Sequence, residues 1–288
     1  MAARIPLRRL RGSGGRSDAG LPGLWQPQPI TVDGSNKDWP SPYPQYDENA
    51  QIGYAVSNDK ANLYITVETG DPATQLKIIK QGLTVWIDRK GEKNELTAIN
   101  FPIPAAGADK PSGIYIQQGQ GSAAQQKQRM DIEDKVKQAM ESANEYSLQG
   151  FKACNLQFPI QENDTCGVKV RMSIDEDNEL VWEAVVPFRS FYFKPEISRP
   201  DRGKALSICM ETTAMKRPEG QAKGNRGNGG GSGMRPGFSV GGMGLGMGMG
   251  GGMSGGNRSS PQLYDPMEPA YKSTKTWKRF GIAYDEPK

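Results

Sequence analysis

Carboxylates and indoles are the groups in this 288-residue chain most able to do chemistry, because histidine is missing altogether. That absence removes Ser-His-Asp and Cys-His nucleophilic machinery and every imidazole metal site. A pair of carboxylates could hydrolyse a glycosidic bond, and the candidates are Asp33, Asp38, Asp88 and Glu183. Asp33 precedes Gly34 and Asp88 closes an apolar run, so both read first as turn formers. Glu183 follows Trp182 on the opposite face of its segment and reads as a solvated strand residue. No spacing makes any two of these carboxylates converge, so no catalytic residue is assigned. Among the five tryptophans, Trp86 shares a face with Thr84 and Asp88, which makes it a candidate platform for stacking a ligand. Trp39, set among Asp38, Pro40, Pro42 and Pro44, is the second candidate ligand-binding residue, with the alternative that it caps the fold. Trp182 alternates with apolar positions and reads as core.

The elements that must position these residues are short strands. IGYAV, NLYITVET and LTVWID place Ile52, Tyr54 and Val56, then Leu63, Ile65 and Val67, then Leu83, Val85 and Ile87 on one face each. Asn-Asp, Gly-Asp-Pro and Asp-Arg-Lys-Gly separate them as turns, and Pro102 and Pro104 close the block. GVKVRMSIDEDNELVWEAVVPF alternates strictly about the turn Asp175–Glu179, which predicts a hairpin ending at Pro187. ALSICMET (205–212) and TWKRFGIAY (276–284) predict two more strands, and Ile114–Ile116 a short one. Residues 123–147 read as a helix, with Met130, Ile132, Val136, Met140 and Ala143 as its apolar stripe. The expected fold is an all-β, jelly-roll-like antiparallel β-sandwich over 25–288, with the helical insertion 123–147. A disordered Gly/Met-rich loop is expected at 217–262, and a basic flexible arm at 1–24.

Charge is unevenly placed. Residues 1–16 hold five arginines and no acid, and residues 217–258 hold five cations and one acid, so the formal charge of +4 leaves the rest of the chain net acidic. A basic groove for nucleic acid on the sandwich is therefore not expected. No apolar run approaches the length of a membrane helix. Of the three cysteines, 154 and 166 flank a turn-like stretch and could pair in an oxidising compartment, or could be unrelated small residues. Cys209 reads as a small core residue. The acidic turns at 58–62 and 175–179 read as solvated turns before calcium loops.

The order I-T-V-D-G…D-W-P, A-N-L-Y-I-T-V-E, L-T-V-W-I-D-R-K-G and V-W-E-A-V-V-P resembles the family 9 carbohydrate-binding modules and the wider DOMON-like sandwiches. The resemblance covers roughly 30–104 and 165–212, with a last strand near 277–284. The inserted helix, the segment Glu211–Gly220, the Gly-rich tract and the strand with Trp277 also resemble envelope proteins of Bacteroidota, a group with no established activity. The first resemblance implies a sugar held between two tryptophan rings, and structural calcium as a possible cofactor. The second implies a cell-envelope location, periplasmic or at the outer membrane. Together they lead to the expectation of a non-catalytic binding module whose partner is a glycan or an envelope protein. The alternatives are a structural subunit of an envelope assembly and, on the carboxylates alone, a polysaccharide-active enzyme.

Overall fold

The computed structural model describes residues 20–40, 43–104, 122–152, 157–159, 166–218 and 265–285. The predicted strand at 114–116 and most of the Gly/Met-rich tract lie outside them.

Two sheets form the sandwich. The first contains β1 (Leu24–Trp25), β2 (Gln45–Asp47), β3 (Ile52–Asn58), β4 (Asn62–Thr69), β9 (Lys169–Ile174) and β10 (Leu180–Pro187). Its order is β1-β3-β4-β10-β9, with β2 also on β3. The second contains β5 (Leu83–Asp88), β6 (Ala98–Phe101), β7 (Glu145–Gln149), β8 (Gln157–Pro159), β11 (Ala205–Thr212) and β12 (Thr274–Gly281), in the order β12-β11-β5-β6-β7-β8. Apart from β1 on β3, the paired strands are antiparallel. The chain is an all-β sandwich, as its alternation predicts.

The period of two decides which side chains meet between the sheets. Ile52, Tyr54, Val56, Leu63, Ile65, Val67, Trp182, Ala184 and Val186 come from the first sheet. Leu83, Val85, Ile87, Ile99, Phe101, Ile208 and Met210 come from the second, and all belong to one buried cluster. Trp182 is fully buried there, and its Nε1 donates to the Phe101 carbonyl at 3.1 Å.

Two elements differ from the sequence expectation. Gly70-Asp71-Pro72 is not a turn between strands but the start of helix α1 (Pro72–Gln81). The Asp71 side chain accepts the Thr74 amide at 2.8 Å, Pro72 opens the helix, and Gly82 at φ 82° ends it. The helix predicted over 123–147 ends early: α2 spans Ser122–Met140, and residues 145–149 are strand β7. Ile132 and Val136 are buried on the α1 side of the packing, with Ala139, Met140 and Ala143 beside them. Met130, placed on the stripe by its spacing, is 60% exposed.

A second, smaller core lies on the outer face of the first sheet. Ile30 and Trp39, from the segment before β2, pack on Ala55 and Tyr64, with Tyr43 and Val185 at the margin. The first sheet is thus covered on both sides near its centre.

Candidate functional site

The outer face of the second sheet carries the two half-buried indoles of this chain that share a surface. Trp86 on β5 and Trp277 on β12 are both register partners of Cys209 on β11. Directly opposed residues point to the same side of a sheet, so the three side chains form one row. Two strand spacings separate the tryptophans, about 10 Å. Cys209 lies fully buried between them, and burial pushes its thiol up to about 12, so it acts as an apolar spacer and not as a nucleophile.

The next row along the strands is polar. Thr84, Glu211 and Lys275 sit in register across β5, β11 and β12, with Asn100 on β6 continuing it. The Trp86 Nε1 donates to Glu211 Oε2 at 2.6 Å, and the Lys275 ammonium lies 3.0 Å from the same carboxylate and 2.8 Å from Glu95. That ammonium stands 5.7 Å from the Trp86 ring centroid. Its two carboxylate partners hold the lysine charged and raise its pKa. Trp86 is therefore fixed in one orientation by its own edge. The Trp277 indole makes no hydrogen bond or ring contact with the described residues. The site as a whole is a shallow face with two rings, a hydroxyl, an amide, a carboxylate and an ammonium.

Trp277 escapes a reading that looks only for the strand. Counting in twos from the apolar Phe280 puts Lys275, Trp277 and Arg279 on the other face, and two cations flanking a tryptophan are the signal that the face is outward. Trp39, the other candidate from the sequence, is 7% exposed in the small outer core and offers little ring surface to a ligand. Its Nε1 donates to Glu183 Oε1 at 2.6 Å.

Glu183 is the largest departure from the sequence reading. It is not solvated but fully buried. Besides Trp39 it accepts the Gly34 amide at 2.7 Å and the Asp33 amide at 3.2 Å. Burial pushes its carboxyl up, and the three donors offset only part of that. The covering segment, which arrives from far away in sequence, turns an outward-facing strand residue into an interior one.

The carboxylates considered for catalysis are all engaged in holding the backbone. Asp33 accepts the Ser35 amide and Asp38 the Thr31 amide. Asp88 is buried and accepts the amides of Lys90, Glu92 and Asn94. Burial raises its pKa, but these donors outweigh it and leave the group below its ordinary value. Asp88 and Glu183 lie on the outer faces of different sheets, so the sandwich itself separates them. Asp33 and Glu183 do come together, but Asp33 is an exposed residue of the covering segment that meets Glu183 through its backbone amide, while Glu183 is fully buried.

The acidic turns use their carboxylates to hold the turns themselves. Asp59 accepts the amides of Ala61 and Asn62 and the Tyr64 hydroxyl, and Asp175 accepts the amides of Asp177 and Glu179. Among the described residues, no three carboxylate or thiol groups gather into a metal-holding group. Near the second turn, Glu179 and Glu68 face each other with Asn36 alongside. Burial, and then the hydrogen bond and charge of Glu68, push the Glu179 carboxyl up to about 7.

Cys166 is disulfide-bonded and Cys209 is a free thiol. Cys154 lies outside the described residues.

No protein-family model and no curated protein matches this chain. Among solved structures, it is similar to a family 9 carbohydrate-binding module from Caldicellulosiruptor kristjanssonii in complex with glucose, at 9% identity and a TM-score of 0.30, over 68% of this chain and 78% of that one. The same module in complex with cellotriose is similar at 10% identity and a TM-score of 0.30, over 68% and 76%.

No helix among the described residues is long and apolar enough to cross a membrane.

Proposed function

We propose that this protein is a non-catalytic binding module that takes a saccharide chain on the outer face of its second sheet. One observation carries the reading: Trp86 and Trp277 stand half-buried in one row, held apart by the buried Cys209. Sugar rings present C–H faces that pack on indoles, while their hydroxyls need donors and acceptors close by. Thr84, Asn100, Glu211 and Lys275 supply both in the adjacent row. Strands β5 and β11 are internal to their sheet, so on their side of the site little ordering is left to oppose binding. Against the catalytic alternative, the carboxylates the sequence offers for it, Asp33, Asp38, Asp88 and Glu183, each accept backbone amides. A cell-envelope location belongs to the same reading, and the disulfide at Cys166 supports an oxidising compartment.

The test is a glycan array followed by calorimetry on the best oligosaccharide. Trp277→Ala and Trp86→Ala are each expected to weaken binding roughly thirtyfold, the loss of about 2 kcal/mol typical of a buried aromatic anchor. Absence of glycan binding, or binding that survives both substitutions, refutes the reading. Capture of a protein partner through the same two tryptophans would move the conclusion to a protein-binding module.

A further inference from the structure

A cavity of about 690 Å³ opens where residues 20–25 meet the end of β12 and the turn before β11. Its construction follows from how the edges of the sandwich are tied. Leu21 bridges Phe280 of the second sheet, while Trp25 pairs with Asn58 of the first. The buried Asn58 amide group donates to the Ala283 carbonyl and accepts its N–H, both at 2.9 Å. This short segment therefore spans both sheets, and glycines 20, 23, 203 and 281 line the space it encloses.

Three features give the cavity a chemical character. Arg202 and Arg279 both line it, and neither guanidinium has an ion-pair partner among the described residues. Against them stands one lining carboxylate, Asp285, so the cavity keeps a net positive charge. A Cβ on Gly20 would lie 3.1 Å from the Arg279 Cγ, and one on Gly91 3.2 Å from its Nε, so the stem runs close past two glycines. Trp25 and Tyr284 form an aromatic corner with centroids 6.2 Å apart at 66°. The volume suits a ligand of one or a few sugar rings.

We propose that this cavity binds the carboxylate of an acidic saccharide, with a uronate ring packed against Trp25 and Tyr284 and its carboxylate taken by Arg202 and Arg279. A planar guanidinium matches a planar carboxylate with two parallel hydrogen bonds, which favours uronate over an uncharged sugar. Arg279 lies two residues beyond Trp277 on the same side of β12, so the strand leads from the tryptophan row to the rim of the cavity. The assignment of a saccharide rests on the function proposed above; the cavity adds its acidic class.

Calorimetry with an oligogalacturonate, an uncharged oligosaccharide of equal length and a sulfated one tests this. The oligogalacturonate is expected to bind at least about tenfold tighter than the uncharged ligand, with the advantage shrinking as salt rises. Arg202→Gln and Arg279→Gln should each remove most of that advantage and leave uncharged binding as it was. Gly281→Leu should block the cavity without touching either arginine. A Cβ there meets nothing closer than 3.8 Å, and the backbone is not in the left-handed region. Equal affinity for the charged and uncharged ligands, or an advantage that survives both arginine substitutions, overturns the proposal while leaving the tryptophan face intact. A sulfated ligand that binds as tightly as the uronate overturns the carboxylate assignment. Uncharged binding that persists in Trp277→Ala overturns the tryptophan face and leaves the cavity standing. Absence of binding to all three overturns both.

Discussion

Lys77 should be a cost to this fold that one substitution removes. It sits on α1, is 1% exposed, and donates to the Lys272 carbonyl at 3.2 Å. Burial pulls its amine down from 10.5 to about 8, and the charge of Asp71 offsets only part of that. At 1.36 kcal/mol for each pH unit, the buried ammonium destabilises the native state by about 3 kcal/mol below the folded pKa. Methionine keeps the length of the stem but gives up the bond to Lys272, worth about 1 kcal/mol. Lys77→Met is therefore expected to stabilise the protein by about 2 kcal/mol at neutral pH. The sign of the pH dependence follows from proton counts. Between about 8 and 10.5 the unfolded chain holds a proton on Lys77 that the folded chain has lost, so wild-type stability rises across that window relative to the variant. The gain from Lys77→Met should shrink through this range and then reverse. Urea unfolding of both proteins, followed by tryptophan fluorescence at several pH values, measures the difference directly. A variant less stable than wild type at neutral pH, or a difference that does not change with pH, would refute the reasoning.

Removing the buried acceptor Glu183 as Glu183→Ala should cost about 3 kcal/mol, because three interior donors lose their partner; Glu183→Gln should cost less than half of that by the same denaturant titration. Stability should fall as pH rises from about 4.5 to about 7, because folded Glu179 retains a proton that the unfolded chain has released. The side chain is part-exposed, so that loss is on the order of 1 kcal/mol, and Glu179→Gln should flatten the profile. Gly150→Ala should destabilise by more than about 3 kcal/mol in thermal unfolding. Gly150 has φ +72°, and a Cβ there would lie 1.8 Å from the Leu96 carbonyl oxygen.

Where one face of a strand meets the main core, the sequence shows the structure. The alternation of 83–87 and 168–174 survives intact because each run buries one side and only that side needs to be apolar; in 52–56, 63–67 and 180–186 the core face still alternates, although the segment before β2 buries much of the other face as well. Helix α1 was hidden for the opposite reason. Its buried residues include Thr74, Gln75 and Lys77, so it has no polar face to set against an apolar one. Asp71-Pro72 is an equally good turn and an equally good helix start, and composition could not choose between them. The end of α2 was overrun because nothing between 141 and 144 forbids helix, whereas sheet pairing with β6 recruits 145–149. The outward position of Trp86 could be read from Val85 and Ile87 on either side. The burial of Glu183 could not, since the segment that covers it lies about 150 residues away and acts through packing.

The route of the chain to β12 makes binding and local order a single equilibrium. Thr212 and Thr274 face each other across a 2.8 Å hydroxyl contact, yet they are 62 apart in sequence. Closing a loop of that length is opposed by entropy before any ladder bond is gained. β12 is also an outermost strand of its sheet, held along its length by β11 on one side and on the other only by Leu21, near its end at Arg279 and Gly281. Opening of this strand alone, without global unfolding, would carry Trp277 away and leave Trp86 in place. Any ligand that needs both rings must then slow the amide hydrogen exchange of residues 274–281, and must do so more than for the central strand β5.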